Sequence, residues 1–384
     1  MIRVLGKGLT AQGIKDKYKD VVLYDDNDFN SYDKASNDIT VVSPGIPPYN
    51  SMVKCAKNII SDYDLAYEQM PFSIWISGTN GKTTTTQMCQ HILKEKGSVC
   101  GGNIGTPISM LDENAKMWIL ETSSFTFHYT KYAKPNLYLL LPISDDHISW
   151  HGSFKEYEKA KLKPLYMMDE GEVAIIPEKY KDIKTACHII TYKDSDDLCK
   201  KFNINKNKID FKEPFLLDAL LALVSKKILF DAIDYETINT YKVDEHKVEE
   251  FTDINNRVWI DDSKATNIDA TINALKSFKG KKIHLILGGD DKGACLEPLF
   301  KFLRDFDIQI YAIGSNCTKL SKLSKKFSIP CRVCEKLEIA VEAIDLKHDK
   351  MGVAILSPAA ASLDQYSSYK QRGKEFKKLV SKLS

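Results

Sequence analysis

The 384 residues alternate short apolar runs with longer amphipathic stretches. Most of the apolar runs are continuous, which indicates strands buried on both faces of a parallel sheet with helices between them. The predicted strands lie at 2–6, 21–26, 39–45, 73–77, 117–121, 137–142, 173–177, 257–262, 282–289, 308–314 and 353–358. The pattern therefore predicts an α/β fold of strand–helix repeats.

The strand at 73–77 leads into Gly78-Thr79-Asn80-Gly81-Lys82-Thr83-Thr84, which is typical of a phosphate-binding loop. The glycines permit a tight turn, Lys82 supplies a charge for the β- and γ-phosphates, and Thr83 offers a hydroxyl to Mg²⁺. A glycine turn with a solvated lysine is the alternative, but strand, loop and helix occur in the order that phosphate binding requires. Ile76 replaces the first glycine of the usual GxxxxGK[ST] spacing, so we expect a shortened form of that loop.

The strand–helix alternation separates into three segments, which we interpret as domains. Residues 1–72 predict a small Rossmann-like domain, because a glycine turn follows the first strand and acidic residues end the second. The helix between those strands has room for about two turns, so we expect a site for one nucleotide portion only. Residues 73–243 predict a central P-loop ATPase-type domain with a parallel sheet, and residues 244–384 predict a second Rossmann-like domain.

Composition narrows the class of protein. A hydrophobic content of 43%, a charged content of 28% and a net charge of +2 fit a globular enzyme with no general attraction for nucleic acid. No stretch has the length of a membrane span and the N-terminus has no signal-peptide profile, so we expect a cytoplasmic protein. We also expect a monomer. Nine scattered cysteines fit reduced thiols, and we interpret the pair Cys331 and Cys334 as structural.

Two polar residues follow apolar or glycine-rich segments near the predicted phosphate loop. Glu121 ends a strand, where a carboxylate can reach a Mg²⁺ ion held by that loop, although an acid that caps a helix is the alternative. Asn103 lies between glycines, where its amide can contact a metal ligand or a substrate, and its spacing alone leaves both roles open.

Histidines and acids follow the strand at 137–142. His147 comes directly after two aspartates, and we expect it to contribute to a hard-metal and phosphate site rather than to a zinc pair with His151. We expect His151 to have a structural role. Lys161 lies in a charged helical pattern, and its spacing alone predicts a solvated lysine without a function.

Three loops of the third segment carry polar residues at strand ends, and the carboxyl ends of parallel strands share one edge of a sheet. These loops lie at 261–266, 288–293 and 357–365. An aspartate at such a position suits a ribose diol, and lysines with hydroxyls suit an anion. We therefore predict an anion pocket at this edge. Residues 266–269 also predict a capping box before a helix at 268–278.

Taken together, the strings resemble the Mur ligases of peptidoglycan synthesis, and among them the members that add D-glutamate. The resemblance spans nearly the whole chain and rests on GKGLT, SPGIP, GTNGKTT, GGNIG, ETSSF, DDHISWHGS, DDSKATN, LGGDDKG, SPAAASLDQY and QRG. The DNPR string of the diaminopimelate- or lysine-adding members is absent. Folylpolyglutamate synthetase, another relative, has no small first domain of this kind.

The resemblance implies a reaction. ATP phosphorylates the carboxylate of UDP-N-acetylmuramoyl-L-alanine, the amine of D-glutamate attacks the acyl phosphate, and phosphate leaves. Two Mg²⁺ ions and the phosphate loop neutralise the charge. The resemblance also implies that Lys161 carries a carbamate, a modification that converts a cationic side chain into an oxygen ligand for a metal ion. This implied role replaces the prediction of a solvated lysine that the spacing alone gives.

The resemblance also implies the roles of single residues. The implied catalytic residues are Lys82, His147 and Lys161, and the implied metal ligands are Thr83, Glu121, His147 and Lys161. ATP contacts are implied for Gly78, Thr79, Asn80, Gly81, Lys82, Thr83, Thr84, Lys247 and Asp262, the last at the ribose. The UDP-substrate contacts are Leu9, Thr10, Ser43, Pro44, Gly45 and Asn103. The D-glutamate contacts are Lys264, Thr266, Lys292, Ser362, Leu363 and Tyr369.

The chain departs from the family pattern in places. Lys247 stands where arginine is usual, which removes a planar fork, and Asp218 stands where an asparagine usually contacts adenine. Pro142 replaces the common asparagine before the metal histidine, and the shortened first domain leaves Asp25 or Asp26 as candidates for uracil.

Two other functions remain possible from the sequence. One is an amide ligase of the same superfamily that adds a different amino acid. The other is a nucleotide-binding switch with a protein partner, which would not need a second small substrate. The two additional site-bearing domains argue against the switch.

Overall fold

The computed structural model describes residues 1–25 and 28–383. The described residues divide into two compact units by their contacts. One unit contains the residues up to Phe211 together with Phe215–Tyr241, and the other contains Lys212–Pro214 with the residues from Lys242 onward. The first unit holds two sheets, so the predicted boundary at residue 72 remains a prediction.

The first sheet of the described chain is fully parallel, with the order β2-β1-β3-β4. Its strands are β1 (Ile2–Leu5), β2 (Val21–Tyr24), β3 (Ile39–Val42) and β4 (Asn58–Ile60). Its helices are α1 (Leu9–Lys17), α2 (Ser51–Cys55) and α3 (Asp62–Ala66). The nine residues of α1 confirm the short first helix that the spacing predicts.

The second sheet is also parallel in the described chain, with the order β10-β9-β8-β5-β7-β6. Its strands are β5 (Phe72–Ser77), β6 (Ser98–Gly102), β7 (Met117–Glu121), β8 (Leu137–Leu140), β9 (Val173–Pro177) and β10 (His188–Tyr192). Its helices are α4 (Lys82–Leu93), α5 (Ser124–Tyr129), α6 (Ile148–His151), α7 (Phe154–Leu162), α8 (Ser195–Phe202), α9 (Phe215–Phe230) and α10 (Tyr235–Asn239).

The strand β5 lies inside this sheet and is buried on both faces. Ile74 and Ile76 point to a core that includes residues of α4 and α9, whereas Trp75 points to the opposite core, which includes Trp118. Continuous burial explains why the run lacks an alternating pattern. The sheet therefore holds the end of β5, where the phosphate loop begins, in a rigid position.

The third sheet has the order β11-β12-β16-β13-β14-β15 in the described chain, and β11 alone is antiparallel to its neighbour. Its strands are β11 (Glu249–Thr252), β12 (Val258–Asp261), β13 (Ile283–Gly288), β14 (Ile308–Ile313), β15 (Cys331–Glu335) and β16 (Val353–Leu356). Its helices are α11 (Ile268–Lys276), α12 (Glu297–Leu303), α13 (Cys317–Phe327), α14 (Leu337–Asp345) and α15 (Tyr369–Val380). Cys331 and Cys334 lie in the edge strand β15 as free thiols.

The start of α11 differs from the predicted capping box. Asn267, not Thr266, is the N-cap, and its Oδ1 accepts a hydrogen bond from the backbone N–H of Ala270 at 2.9 Å. An asparagine is as good a cap as a threonine, so the two adjacent polar residues gave an ambiguous signal. The prediction of a cap at Thr266 is wrong, and the helix ends at Lys276 rather than at residue 278.

None of the helices in the described residues combines the length and the hydrophobicity that a bilayer crossing needs.

Candidate active site

The loop after β5 turns tightly because Gly78 and Gly81 adopt φ angles of +145° and +84°. A Cβ atom on Gly78 would lie 2.5 Å from the Cβ of Leu141, and one on Gly81 would lie 2.5 Å from Oδ1 of Asp218. Only glycine fits at either position. The helix α4 begins at Lys82, so the backbone amides of its first turn lie next to this glycine turn.

Lys82 is folded over its own loop. Its Nζ donates hydrogen bonds to the backbone oxygens of Gly78 at 3.1 Å and Thr79 at 2.7 Å. Burial lowers the pKa of Lys82 from its usual value, while the charges of Glu121 and Asp146 oppose this shift. The sequence prediction that Lys82 belongs to the glycine turn agrees with this geometry, which places a cation beside the loop amides.

Glu121 joins residues that are distant in the sequence. Its Oε2 accepts a hydrogen bond from Thr83 Oγ1 at 2.7 Å, and its Oε1 accepts one from Asn103 Nδ2 at 2.9 Å. Only 3% of Glu121 is exposed. Carboxylate, hydroxyl and amide oxygens are the ligands that Mg²⁺ prefers, so this group fits a hard cation next to the phosphate loop. Sequence analysis proposed all three residues, and the fold brings them into contact.

Lys161 is buried, with 1% of its surface exposed. Its Nζ donates a hydrogen bond to Ser77 Oγ at 3.3 Å and lies 4.8 Å from the ring centre of Tyr157. Lys161 makes no ion pair with any other described residue. Burial, followed by the charge of Lys82, lowers the pKa of Lys161 well below its usual value. The prediction of a solvated lysine from spacing is therefore wrong, because Lys161 shares the buried face of α7 with Tyr157 and Ala160.

His147 and His151 lie in different surroundings within one aromatic cluster. His147 has a φ angle of +53°, and its ring centre lies 4.7 Å from that of Phe125. Its side chain is 42% exposed, which leaves it accessible to a ligand. His151 Nε2 lies 2.9 Å from Ser124 Oγ, and burial lowers the pKa of His151 to about 4. The four-residue helix α6 does not present the two histidines as a regular pair.

The loops after β1 and β3 lie against each other. Gly6 has a φ angle of +114°, and a Cβ there would lie 2.5 Å from Ser43 Oγ. The predicted UDP-substrate residues in these loops are exposed or half-buried, and they are Leu9, Thr10, Ser43, Pro44 and Gly45. Asp25 forms an ion pair with Lys7 at 2.9 Å, and Asp26 lies outside the described residues.

Asp262 lies at the end of β12 with 6% of its surface exposed. Its Oδ2 accepts a hydrogen bond from Ser357 Oγ at 2.6 Å, and its Oδ1 accepts one from the backbone N–H of Val248 at 3.2 Å. Burial raises the pKa of Asp262 to about 7. The carboxyl is thus held by its neighbours at the sheet edge where the ribose was predicted to bind.

The other predicted residues of the third sheet stand on the loops after β12, β13 and β16, apart from Tyr369, which is the first residue of α15. Thr266, Lys292 and Leu363 are exposed, Lys264 and Tyr369 are half-buried, and Ser362 is buried. Lys264 Nζ lies 5.6 Å from the ring centre of Tyr369. The backbones of Asp290 and Ala361 exchange two hydrogen bonds of 3.0 Å and 2.9 Å, which join two of the loops.

Two of the residues that depart from the family pattern, Lys247 and Asp218, are buried. Lys247 Nζ donates a hydrogen bond to Asp244 Oδ2 at 2.9 Å. Asp218, in α9, is 4% exposed and accepts a hydrogen bond from Thr85 Oγ1 at 2.8 Å. Asp218 therefore supports the phosphate loop through Gly81 and Thr85.

A group of metal-ligating atoms that the sequence did not suggest lies in the third sheet. The ligand atoms of His246, Glu249 and Asp261 lie within 4.8 Å of one another. However, His246 Nδ1 is already 2.6 Å from Asp261 Oδ2, and Lys377 Nζ donates to Glu249 Oε1 at 2.9 Å. We interpret this group as an ion-pair network.

Sequence reasoning missed three residues that hold the candidate site. Ser77 and Tyr157 surround the Lys161 amine, and Arg372 lies beneath the loops of the third sheet. The position of Tyr157 four residues before Lys161 is the one available signal, because residues at that spacing share a helix face.

Comparisons with known proteins find relatives over the full length of the chain. The model of the Mur ligase middle domain matches residues 76–216. A UDP-N-acetylmuramoylalanine–D-glutamate ligase of Campylobacter jejuni is 48% identical over all of both chains. One of Helicobacter pylori is 44% identical over 94% of this chain and 90% of its own length. The solved structure of a MurF ligase from Thermotoga maritima in complex with ADP has a TM-score of 0.61 over 89% of this chain and 88% of that one. At 15% identity, that last similarity confirms the α/β fold alone.

Proposed function

Because this chain belongs to the Mur ligase family, and within it to the UDP-N-acetylmuramoylalanine–D-glutamate ligases, we propose that it joins D-glutamate to UDP-N-acetylmuramoyl-L-alanine at the expense of ATP. The observation that carries the proposal is the 48% identity over the full length of both chains. The enzyme would act in the cytoplasm, as a monomer, in the synthesis of peptidoglycan precursors.

The proposed chemistry has two steps. The carboxylate of the L-alanyl group attacks the γ-phosphorus of ATP, and ADP leaves. The amine of D-glutamate then attacks the acyl-phosphate carbon, phosphate leaves, and the amine loses a proton. Lys82 and the loop amides would stabilise the charge on the phosphates, because preorganised donors need no rearrangement during the transfer. Residues Gly78, Thr79, Asn80, Gly81, Thr83 and Thr84 would bind the phosphates, with Lys247 and Asp262 as further ATP contacts.

The residues around the loop fit Mg²⁺. Thr83 and Glu121 offer oxygen atoms that already lie 2.7 Å apart, and His147 is accessible to a second ion. Bound Mg²⁺ would neutralise the phosphate oxygens. Lys161 would contribute through a carbamate, since its buried amine has a hydroxyl neighbour and no ion-pair partner among the described residues. Asn103 would orient Glu121 as well as contact the UDP-substrate.

Two loop groups would bind the substrates. Leu9, Thr10, Ser43, Pro44 and Gly45 would bind the UDP-sugar portion, and the close approach of Gly6 to Ser43, which brings the two loops together, supports a single site. The amino acid would bind on the loops of the third sheet, where two lysines suit the two carboxylates of D-glutamate. These residues are Lys264, Thr266, Lys292, Ser362, Leu363 and Tyr369.

A phosphate-release assay tests the proposal. Purified protein is incubated with ATP, Mg²⁺ and UDP-N-acetylmuramoyl-L-alanine, and D-glutamate, L-glutamate, D-aspartate and L-lysine are added separately. We expect turnover with D-glutamate only, and a hydroxamate product when hydroxylamine replaces the amino acid. A higher kcat/KM for another amino acid would identify a different ligase, and nucleotide hydrolysis that ignores the UDP-substrate would favour a switch.

A further inference from the structure

Arg372, in the first turns of α15, is a buried cation with 1% of its surface exposed. Its Nε donates a hydrogen bond to Ser263 Oγ at 3.0 Å, and its Nη2 donates to the backbone oxygens of Ser263 at 2.8 Å and Ala360 at 3.2 Å. It forms no ion pair with any described residue, and burial lowers the pKa of Arg372 to about 10. The charges of Asp364, Asp261 and Asp262 oppose this shift without contacting the guanidinium. A buried guanidinium with no carboxylate in direct contact is costly, so its hydrogen bonds need another explanation.

The contacts of Arg372 reach two of the loops that bear predicted amino-acid ligands, and its side chain lies beside the third. Ser263 directly precedes Lys264, and Ala360 lies two residues before Ser362. In the loop of Lys292, a Cβ on Gly289 would lie 3.3 Å from Arg372 Nη1 and 2.3 Å from the backbone oxygen of Ala361. The guanidinium therefore lies where these three strand ends come together.

The helix that carries Arg372 is fixed at the same place. Ser263 Oγ donates a hydrogen bond to the backbone oxygen of Tyr369 at 2.8 Å, which holds the first residue of α15. A Cβ on Gly373 would lie 2.3 Å from His246 Nδ1, so the helix packs closely against this region. Arg372 therefore has little room to move, and the hydrogen bonds of its planar guanidinium fix the positions of Ser263 and Ala360 in the loops.

We propose that Arg372 is a positioning residue for the amino-acid pocket, which holds the loops of Lys264, Lys292 and Ser362 in register. The inference rests on the proposed function for the identity of the amino acid. Ligands on separate loops bind one small substrate well only if their spacing is fixed before binding. Loss of the fork would also leave the backbone oxygens of Ser263 and Ala360 without a donor.

Substitution of the guanidinium tests the inference. Arg372→Lys keeps the charge and removes the fork, so we expect the KM for D-glutamate to rise at least about tenfold while the KM for ATP changes less than about threefold. Arg257→Lys is the matched control, since Arg257 is also buried in this unit but binds Asp253 and Asp345. The control should lower the thermal stability without a selective change in KM.

Hydrogen exchange without substrates separates this inference from the proposed function. We expect faster amide exchange at 263–266, 289–293 and 360–363 in Arg372→Lys, and no such change in the control. The milder Ser263→Ala variant should give the same pattern with a smaller effect if Arg372→Lys does not fold. Unchanged exchange and an unchanged KM in folded variants would overturn the inference. A wild-type enzyme that ignores D-glutamate would refute the proposed function, while the exchange data would still decide the role of Arg372.

Discussion

At the carboxyl edge of the second sheet, predicted site residues contact one another. At the carboxyl edge of the third sheet, most of the predicted site residues stand on separate loops, and the buried Arg372 is hydrogen-bonded to two of these loops. Thr83, Glu121 and Asn103 form a continuous chain of hydrogen bonds. In contrast, Lys292 is exposed, and its loop is joined to the next through the backbone of Asp290 and Ala361.

The difference shows that the two regions hold their ligand-binding residues in position in different ways. A phosphate site needs several fixed charges and donors at one point, and the second sheet supplies them in contact before any ligand binds. An amino-acid site needs ligands on several loops, so its precision depends on residues that touch no substrate. Substitutions in the second sheet should therefore affect turnover, and those in the third should affect substrate affinity.

The largest effect is expected for Lys82→Met. Removal of a cation that lies against the phosphate loop should lower kcat about 10²–10³-fold, with an unchanged circular dichroism spectrum. Lys94→Met, at an exposed lysine after the same helix, is the control and should retain activity. Activity of Lys82→Met within threefold of wild type would exclude the phosphate role.

A smaller loss, roughly 10–100-fold in kcat, is expected for Lys161→Ala. Because the proposed ligand is a carboxylate-like carbamate, millimolar acetate or propionate should restore part of the activity. Lys159→Ala changes an exposed lysine of the same helix and should behave as wild type with or without the acid. If the acid restores nothing, the carbamate is refuted, although the fold assignment stands.

In the third sheet, Ser357→Ala should raise the KM for ATP about 3–10-fold with little change in kcat. The substitution removes the hydroxyl that donates to Asp262 Oδ2 at 2.6 Å and leaves a buried carboxyl less well held. Ser324→Ala, at another buried serine of the same unit, is the control. A fall in kcat at constant KM would contradict the contrast between the two regions.

The smallest effect concerns pH and stability. His284 is 1% exposed, and burial lowers its pKa to about 4 from the usual 6.5. Between these values the unfolded chain binds a proton that the folded chain does not, so the free energy of unfolding falls as the pH drops. His284→Phe should flatten that fall by up to about 1.4 kcal/mol per pH unit in urea titrations at pH 4–7. An identical slope in both proteins would show that folding does not lower the pKa of His284.

The sequence predicts the repeated α/β pattern well, because buried parallel strands give continuous apolar runs, whereas an amphipathic helix gives apolar residues at every third or fourth position. All eleven predicted strands correspond to strands of the structure, although several end earlier, as at Tyr24 and Leu140. Five strands of the described chain were not predicted, and all of them lie at sheet edges: β4, β6, β10, β11 and β15. Edge strands need less hydrophobic surface, so the signal that marks the central strands is weak there.

The candidate site was predictable where its chemistry is local. The phosphate loop is contiguous, and its lysine and threonine follow from the spacing. Lys161 and Arg372 were not predictable from their patterns, because burial of a charged side chain depends on which helix face meets the sheet. Asn267 shows a related limit, since adjacent polar residues compete for one cap and only the backbone decides between them.

The strand β5 pairs with β7 and β8, and Gly78 lies directly against Leu141, so the nucleotide loop depends on segments made later in translation. A nascent chain carries the seven residues of this loop long before it has the neighbours that shape them. The helix α9, which packs along α4, leaves the ribosome later still. Nucleotide binding should therefore begin only after synthesis has passed Phe230, which makes it a marker for completion of the central sheet during translation.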